Sequence, residues 1–163
     1  MANIEDSIQQ VTVPAQLNCA APCGQYQNIA KARNQGFELG LKGDLGDWEL
    51  GASYTFLDRE NRSNPELHPI DTPRHNLFAS ATWNHDAWRL TGSAEAASKR
   101  YNVSDGSQMS GGYAVYNFKS GYRFSNDVLV EAGVRNLFDR LYEYSEGYPE
   151  MGRNYFVQFN VPL

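Results

Sequence analysis

The chain has 163 residues, enough for one domain with a sizeable core, and a formal net charge of -5. Its 14 Lys and Arg are scattered rather than clustered, which leaves nucleic-acid binding without a footing. Aromatic residues make up 13%, yet no stretch approaches the roughly 18 to 20 consecutive apolar residues of a membrane helix, and "MANIEDSIQQ" lacks the basic segment and apolar run of a signal peptide.

Along the chain the hydrophobic period is two, which predicts an all-β protein. Eight alternating runs are expected, at 3–13, 25–42, 48–60, 72–84, 87–103, 111–124, 128–145 and 152–163. In the third, Trp48, Leu50, Ala52, Tyr54 and Phe56 share one face, and Glu49, Gly51, Ser53 and Thr55 the other. The fifth sets Trp88 and Leu90 against Arg89 and Glu95, and the seventh sets Val130 and Val134 against Glu131 and Arg135. In the last, Tyr155, Val157, Phe159, Val161 and Leu163 alternate with polar positions to the end of the chain.

The connections alternate as regularly as the strands. "GDLGD" at 43–47, "NHD" at 84–86 and "SND" at 125–127 carry tight-turn chemistry. Those at 14–24, 61–70, 102–111 and after Tyr144 are long. An antiparallel up-and-down sheet therefore has its tight turns at one end and its long loops at the other. Trp48, Trp83 and Trp88 all lie next to tight turns. A transmembrane barrel places an aromatic girdle at each water–lipid boundary, which accounts for that placement where a soluble sandwich does not.

The last 29 residues, "RNLFDRLYEYSEGYPEMGRNYFVQFNVPL", resemble the C-terminus of TonB-dependent outer-membrane receptors. Asn136, Leu137, Phe138, Asp139, Tyr142, Gly147, Tyr148, Pro149, Gly152, Arg153 and Tyr155 fit that family's "NLFD…Y…GYP…GR.YF" pattern. Upstream, "YQNIAKARNQGFELGLKGDL", "GASYTFLDRENR" and "DTPRHNLFASATW" are similar to consecutive barrel strands of the same family. The resemblance implies that residues 1–163 are the C-terminal portion of a transmembrane barrel of about 22 strands, with about eight strands present and the plug domain absent. It implies location in a Gram-negative outer membrane and TonB-dependent uptake of a scarce nutrient such as a ferric siderophore, haem, cobalamin or a metal chelate. Implied partners are outer-membrane lipid, the small nutrient ligand, the barrel-assembly machinery, and the plug and TonB complex through a full-length parent. Tyr155, Val157, Phe159, Val161 and Leu163 would form the closing strand that the assembly machinery reads; family members usually end on Phe, where this chain has Leu163 preceded by Pro162.

Other residues fit quieter roles. Cys19 and Cys23 in "QLNCAAPCGQ" suit a loop disulfide in an oxidising setting, with metal binding the other reading, and two ligands alone do not make a site. His68, His75 and His85 are far apart, and Met109 and Met151 read as ordinary loop residues. Glu95, Glu131, Arg135 and Gln158 fall on the polar face, where charges can meet across a lumen. No nucleophile–base pair, phosphate loop or ligand-spaced His/Cys cluster supports an enzyme or a cofactor. Two other readings stand beside the receptor. One is an autonomous eight-stranded outer-membrane barrel with a structural or adhesive role, which requires residues 1–13 to pair with 152–163. The other is a soluble carbohydrate-binding β-domain, argued from the Tyr content alone.

Overall fold

The computed structural model describes residues 2–13 and 23–162. It contains no helix there, only strands: β1 (Ala2–Val13), β2 (Cys23–Leu45), β3 (Trp48–Asn61), β4 (His75–His85), β5 (Trp88–Ala97), β6 (Arg100–Tyr101), β7 (Met109–Ser110), β8 (Tyr113–Arg123), β9 (Leu129–Arg135), β10 (Glu143–Ser145), β11 (Tyr148–Pro149) and β12 (Asn154–Asn160). Eight of them form one antiparallel sheet in the order β1-β2-β3-β4-β5-β8-β9-β12. These eight are the eight runs of alternating sequence. The sheet ends on β1 and β12, which are not hydrogen-bonded to each other among the described residues. An open sheet is therefore observed, and not the pairing that an autonomous eight-stranded barrel requires.

Two expected strands are shorter than their alternating runs. The fifth stops at Ala97, after which β6 and β7 form a small ribbon of their own; the seventh stops at Arg135, and β10 pairs with β11. Alternation continues through these segments, but their backbone partners lie within the same loop.

Turn chemistry sets the register. Leu45 pairs with Trp48 across Gly46 and Asp47, and His85 pairs with Trp88 across Asp86 and Ala87. Gly46 has φ +59° and Asp86 φ +49°, the positive φ that two-residue hairpins need at their first position. Between β8 and β9 the connection is three residues long, 125–127, and its last residue, Asp127, takes the positive φ, +63°.

Register carries the two-residue period across the whole sheet. Leu41 faces Ala52, which faces Ala79, which faces Ala94, which faces Tyr116. Val130 lies between Tyr122 and Phe159. One face is thus predominantly apolar, interrupted by Ser120 between Leu90 and Ala132, with Phe37, Leu39, Leu41, Leu45, Trp48 and Leu50 all exposed. The other presents Glu49, Arg89, Glu131 and Gln158, as the alternation predicts. Phe78 departs from this division: it pairs with Ser53 on the polar face and is 45% exposed.

A single sheet has no second layer to make a core. The buried apolar cluster is small, Ala97, Tyr113 and Val115 with Tyr142 against them, and sits at the long-loop end. So broad an exposed apolar face is foreign to a soluble monomer and normal for a barrel wall.

Aromatic rings close that face at both ends. Near the tight turns, Trp48 pairs with Trp83, and Trp88 meets Tyr122 edge-on at 4.8 Å. Near the loops, Phe37, Tyr54, Phe56 and His75 form a second group, with Phe37 and Phe56 5.6 Å apart and the Tyr54 hydroxyl 2.7 Å from His75 Nδ1. From residue 48 to residue 56 is about 27 Å along a strand. Tilted by about 40° in a barrel, that becomes about 21 Å, close to the apolar band of about 25 Å on such walls.

Candidate functional site

The polar face is a hydrogen-bonded lattice between neighbouring strands. Glu49 accepts from Arg89 Nη2 at 3.0 Å and from Asn84 Nδ2 at 2.7 Å. Lys119 Nζ lies 2.8 Å from Glu131, which is 8% exposed. Thr82 and Thr91 hydroxyls bond at 3.0 Å, and Asn117 Nδ2 donates to Ser93 at 3.3 Å. Of Glu95, Glu131, Arg135 and Gln158, only Glu131 and Gln158 stand opposite each other in the register, and all four have separate partners. Glu95 accepts from Tyr113, Glu131 pairs with Lys119, Arg135 lies over the Phe156 ring at 5.1 Å, and Gln158 donates to Asn160. Phe156 itself packs against Gly133, where a Cβ would sit 2.6 Å from the ring.

At the loop end, two long connections are tied together through Asn102. Its Nδ2 donates to the Tyr144 carbonyl at 3.4 Å, and its Oδ1 accepts from the Glu146 amide at 3.1 Å and from the Ser110 hydroxyl at 2.7 Å. Glu146 in turn accepts from the Met109 amide at 2.7 Å. Beneath this joint, Tyr113, Tyr142 and Tyr144 pack ring to ring, with Tyr113 and Tyr142 4.6 Å apart, and the Tyr113 hydroxyl donates to Glu95 at 2.6 Å. Burial pushes Tyr142 and Tyr144 up to about 12, with neighbouring phenols and carboxylates adding to the shift. Both stay protonated donors at neutral pH. Neither Asn102 nor Arg100 stands out in the sequence, because each is tied to Tyr144, more than 40 residues away.

The C-terminal motif resolves into parts with distinct jobs. Asn136 is 4% exposed with φ +52°, a conformation Asn tolerates better than other side chains. Its Nδ2 donates to the carbonyls of Arg140 at 2.8 Å and Met151 at 3.3 Å, while its Oδ1 accepts from the Arg140 amide at 2.8 Å. Asp139, at φ +55°, accepts from the Arg153 amide at 2.7 Å. A Cβ on Gly152 would lie 2.8 Å from that carboxylate, so any other residue there would displace Asp139 from its place beside the Arg153 amide. Asn136, Asp139, Gly152 and Arg153 thus staple the end of β9 to the start of β12. Leu137 and Phe138 between them turn to the apolar face, where Phe138 meets Tyr116 at 5.4 Å. Tyr142 joins the tyrosine cluster, Gly147 turns the β10–β11 ribbon at φ +82°, and Tyr148 and Pro149 form β11 away from the staple.

Tyr155, Val157 and Phe159 stand on the apolar face of β12 with Val161 just past its end, each more than 60% exposed, and Leu163 lies outside the described residues. Cys23 opens β2, buried and without a free thiol, while Cys19 lies outside the described residues. The three His remain separate: His68 stacks on Tyr101 at 4.0 Å, His75 binds Tyr54, and His85 stacks on Trp83 at 5.1 Å. Among the described residues no three His, Cys, Asp or Glu side chains are placed to hold a metal.

Such a wall, apolar outside and polar inside with loops at one end, is that of an outer-membrane β-barrel. Residues 2–137 match the family described as TonB dependent receptor-like, beta-barrel, and the chain belongs to that family. It is 26% identical, over 98% of its length, to the iron-regulated outer membrane virulence protein of Vibrio cholerae. It is 30% identical over 78% of its length to the ferric-pyoverdine M114 receptor PbuA of a Pseudomonas species. Among solved structures it superposes on the copper transporter OprC with a TM-score of 0.77 at 22% identity, covering 96% of this chain and 26% of that one. The siderophore receptor PiuA of Acinetobacter baumannii gives 0.76 at 19% identity over 96% of this chain and 24% of that one. These two likenesses show the fold. The chain spans 27% of the Vibrio protein and 17% of PbuA. The family lies in the Gram-negative outer membrane, and the proteins similar to this chain include ones named as receptors and as transporters.

Proposed function

We propose that this chain is the C-terminal wall and part of the extracellular mouth of a receptor for TonB-dependent uptake of a scarce nutrient, a ferric siderophore, haem, cobalamin or a metal chelate. The observation that carries this reading is the two-faced sheet: an apolar surface bounded by two aromatic groups, backed by a lattice of paired polar side chains. The apolar face contacts outer-membrane lipid, and the polar face lines the passage. A plug domain outside these residues gates that passage and receives energy from the TonB complex. The protein moves its ligand and catalyses no reaction. Relatives named for iron regulation, ferric pyoverdine and vitamin B12 support the range of nutrients. Tyr155, Val157, Phe159, Val161 and Leu163 serve as the strand that the barrel-assembly machinery reads, and Cys19 pairs with Cys23 where the first long connection enters β2.

Uptake of radiolabelled ferric chelates, haem and cobalamin, compared between cells with and without the gene, tests this reading. Uptake of at least one should fall to background without the gene and also without TonB. Unchanged uptake of all of them, with growth under nutrient limitation also unchanged, would rule it out.

A further inference from the structure

A cavity of about 310 Å³ opens where β3 ends, β4 begins and β5 leads into the following loop. Its lining includes Arg59, Arg74, Lys99 and Arg100 against one carboxylate, Asp58. Four cations and one anion leave +3 in a chain whose net charge is -5. This concentration is invisible along the sequence, because Arg59 reaches the cavity from β3, Arg74 from the residue before β4, and Lys99 and Arg100 from the segment that follows β5.

The cations differ in what neutralises them. Arg74 pairs with Asp58 at 3.1 Å. Arg59 has only neutral partners, donating to Thr72 Oγ1 at 2.9 Å and Asn34 Oδ1 at 3.3 Å. Lys99 lies over the Tyr101 ring at 5.8 Å. Arg100 lies over Tyr113 and Tyr144 at 5.8 and 5.3 Å, and its Nε and Nη2 have no hydrogen-bond acceptor. Among the described residues, then, three cations of one cavity have no carboxylate partner. Ring faces hold a cation in place but accept no hydrogen bond as strong as an oxyanion does.

The cavity also sits at a particular level. Leu57 follows Phe56 and Arg74 precedes His75, so it begins where the loop-side aromatic group ends, at the height of lipid headgroups in a barrel wall. Three unneutralised cations match a phosphate monoester, which carries about -1.5 to -2 charge and three acceptor oxygens, better than a single carboxylate.

We propose that this cavity is an anion site for a phosphate monoester, carried by a lipid headgroup or by a soluble molecule. The inference stands apart from nutrient transport and can fail or succeed without it. The test uses the protein purified from outer membranes in a neutral detergent at low ionic strength. Glycerol 3-phosphate is titrated calorimetrically, and phosphatidylcholine nanodiscs with and without phosphatidic acid report retained lipid by native mass spectrometry. At least one probe should bind saturably. The double variant Arg59→Gln, Lys99→Gln should weaken it by about tenfold or more, the size of one lost charge-assisted hydrogen bond. Arg59→Lys with Lys99→Arg should hold it within about threefold. Binding of glycerol 3-phosphate assigns the site to a soluble anion, and binding of phosphatidic acid alone assigns it to a lipid. If the double variant fails to assemble, as judged by heat-modifiable gel mobility, Lys99→Gln alone must weaken binding by about threefold or more. Absence of saturable binding by both probes, or wild-type affinity in the glutamine variants, overturns the site.

Discussion

At one end of the sheet, Leu45 meets Trp48 and His85 meets Trp88 across two-residue turns whose geometry rests on Gly46 and Asp86. At the other, the loops are held by side chains reaching between segments far apart in sequence: Asn136 to Met151, Asp139 to Arg153, Asn102 to Tyr144. Each tight turn closes on local conformational preference, with Glu49, Asn84 and Arg89 adding hydrogen bonds between the two neighbouring hairpins. The loop end needs many specific hydrogen bonds, and there a single side chain can carry several. Damage at the two ends should therefore differ in size.

The largest effect is expected from Asn136→Ala. It leaves three backbone groups without their partner and places Ala at a positive φ, together costing about 4 kcal/mol. Urea unfolding in phospholipid vesicles would show it, with loss of the loop structure between β9 and β12 before the rest. A cost below about 1 kcal/mol would remove the staple from the account.

Next comes charge on the apolar face. Ala52 lies midway between Trp48 and Phe56, so Ala52→Arg should cost about 2–4 kcal/mol, whereas Ser53→Arg on the polar face should cost less than about 1 kcal/mol. Similar costs at the two positions would contradict the facing. Position 131 is a poor control for this contrast, because Glu131 is buried against Lys119 and any basic residue there would face a like charge.

Strands and turns were legible in the sequence for a physical reason: period-two alternation and turn residues are local, and both survive in the structure with the expected faces. The loop end was legible only through resemblance. Asn136, Asp139, Gly152 and Arg153 were recognisable as a pattern, but their mutual contacts span up to 15 residues and follow no period. Arg100 and Asn102 carried no pattern at all. The same limit explains the two strands expected to run through 103 and 145: alternation reports which face a residue takes, not which backbone it pairs with.

At the turn end, Gly46→Ala should cost only about 1 kcal/mol, because an added Cβ meets no atom within 4 Å and the penalty is conformational alone. A loss matching that of Asn136→Ala would erase the distinction between the two ends.

The smallest effect at neutral pH concerns Tyr142 and Tyr144. Their folded values near 12 lie above the ordinary value of 10.0, so their contribution is complete below pH 10 and is lost as pH rises toward 12. Tyrosinate absorbance should appear late and together with release of the loop at 136–153. Titration near 10 with the loop still in place would contradict the packing of this cluster.

The most direct test of the wall itself uses Trp48, Trp83 and Trp88 as the only Trp of the membrane-inserted protein, with brominated lipids as quenchers. All three flank the tight turns on the apolar face, so bromines near the headgroups should quench their fluorescence strongly and bromines near the bilayer centre much less. Equal indifference to both lipids would mean that this face does not meet the membrane, and the barrel-wall account would fall with it.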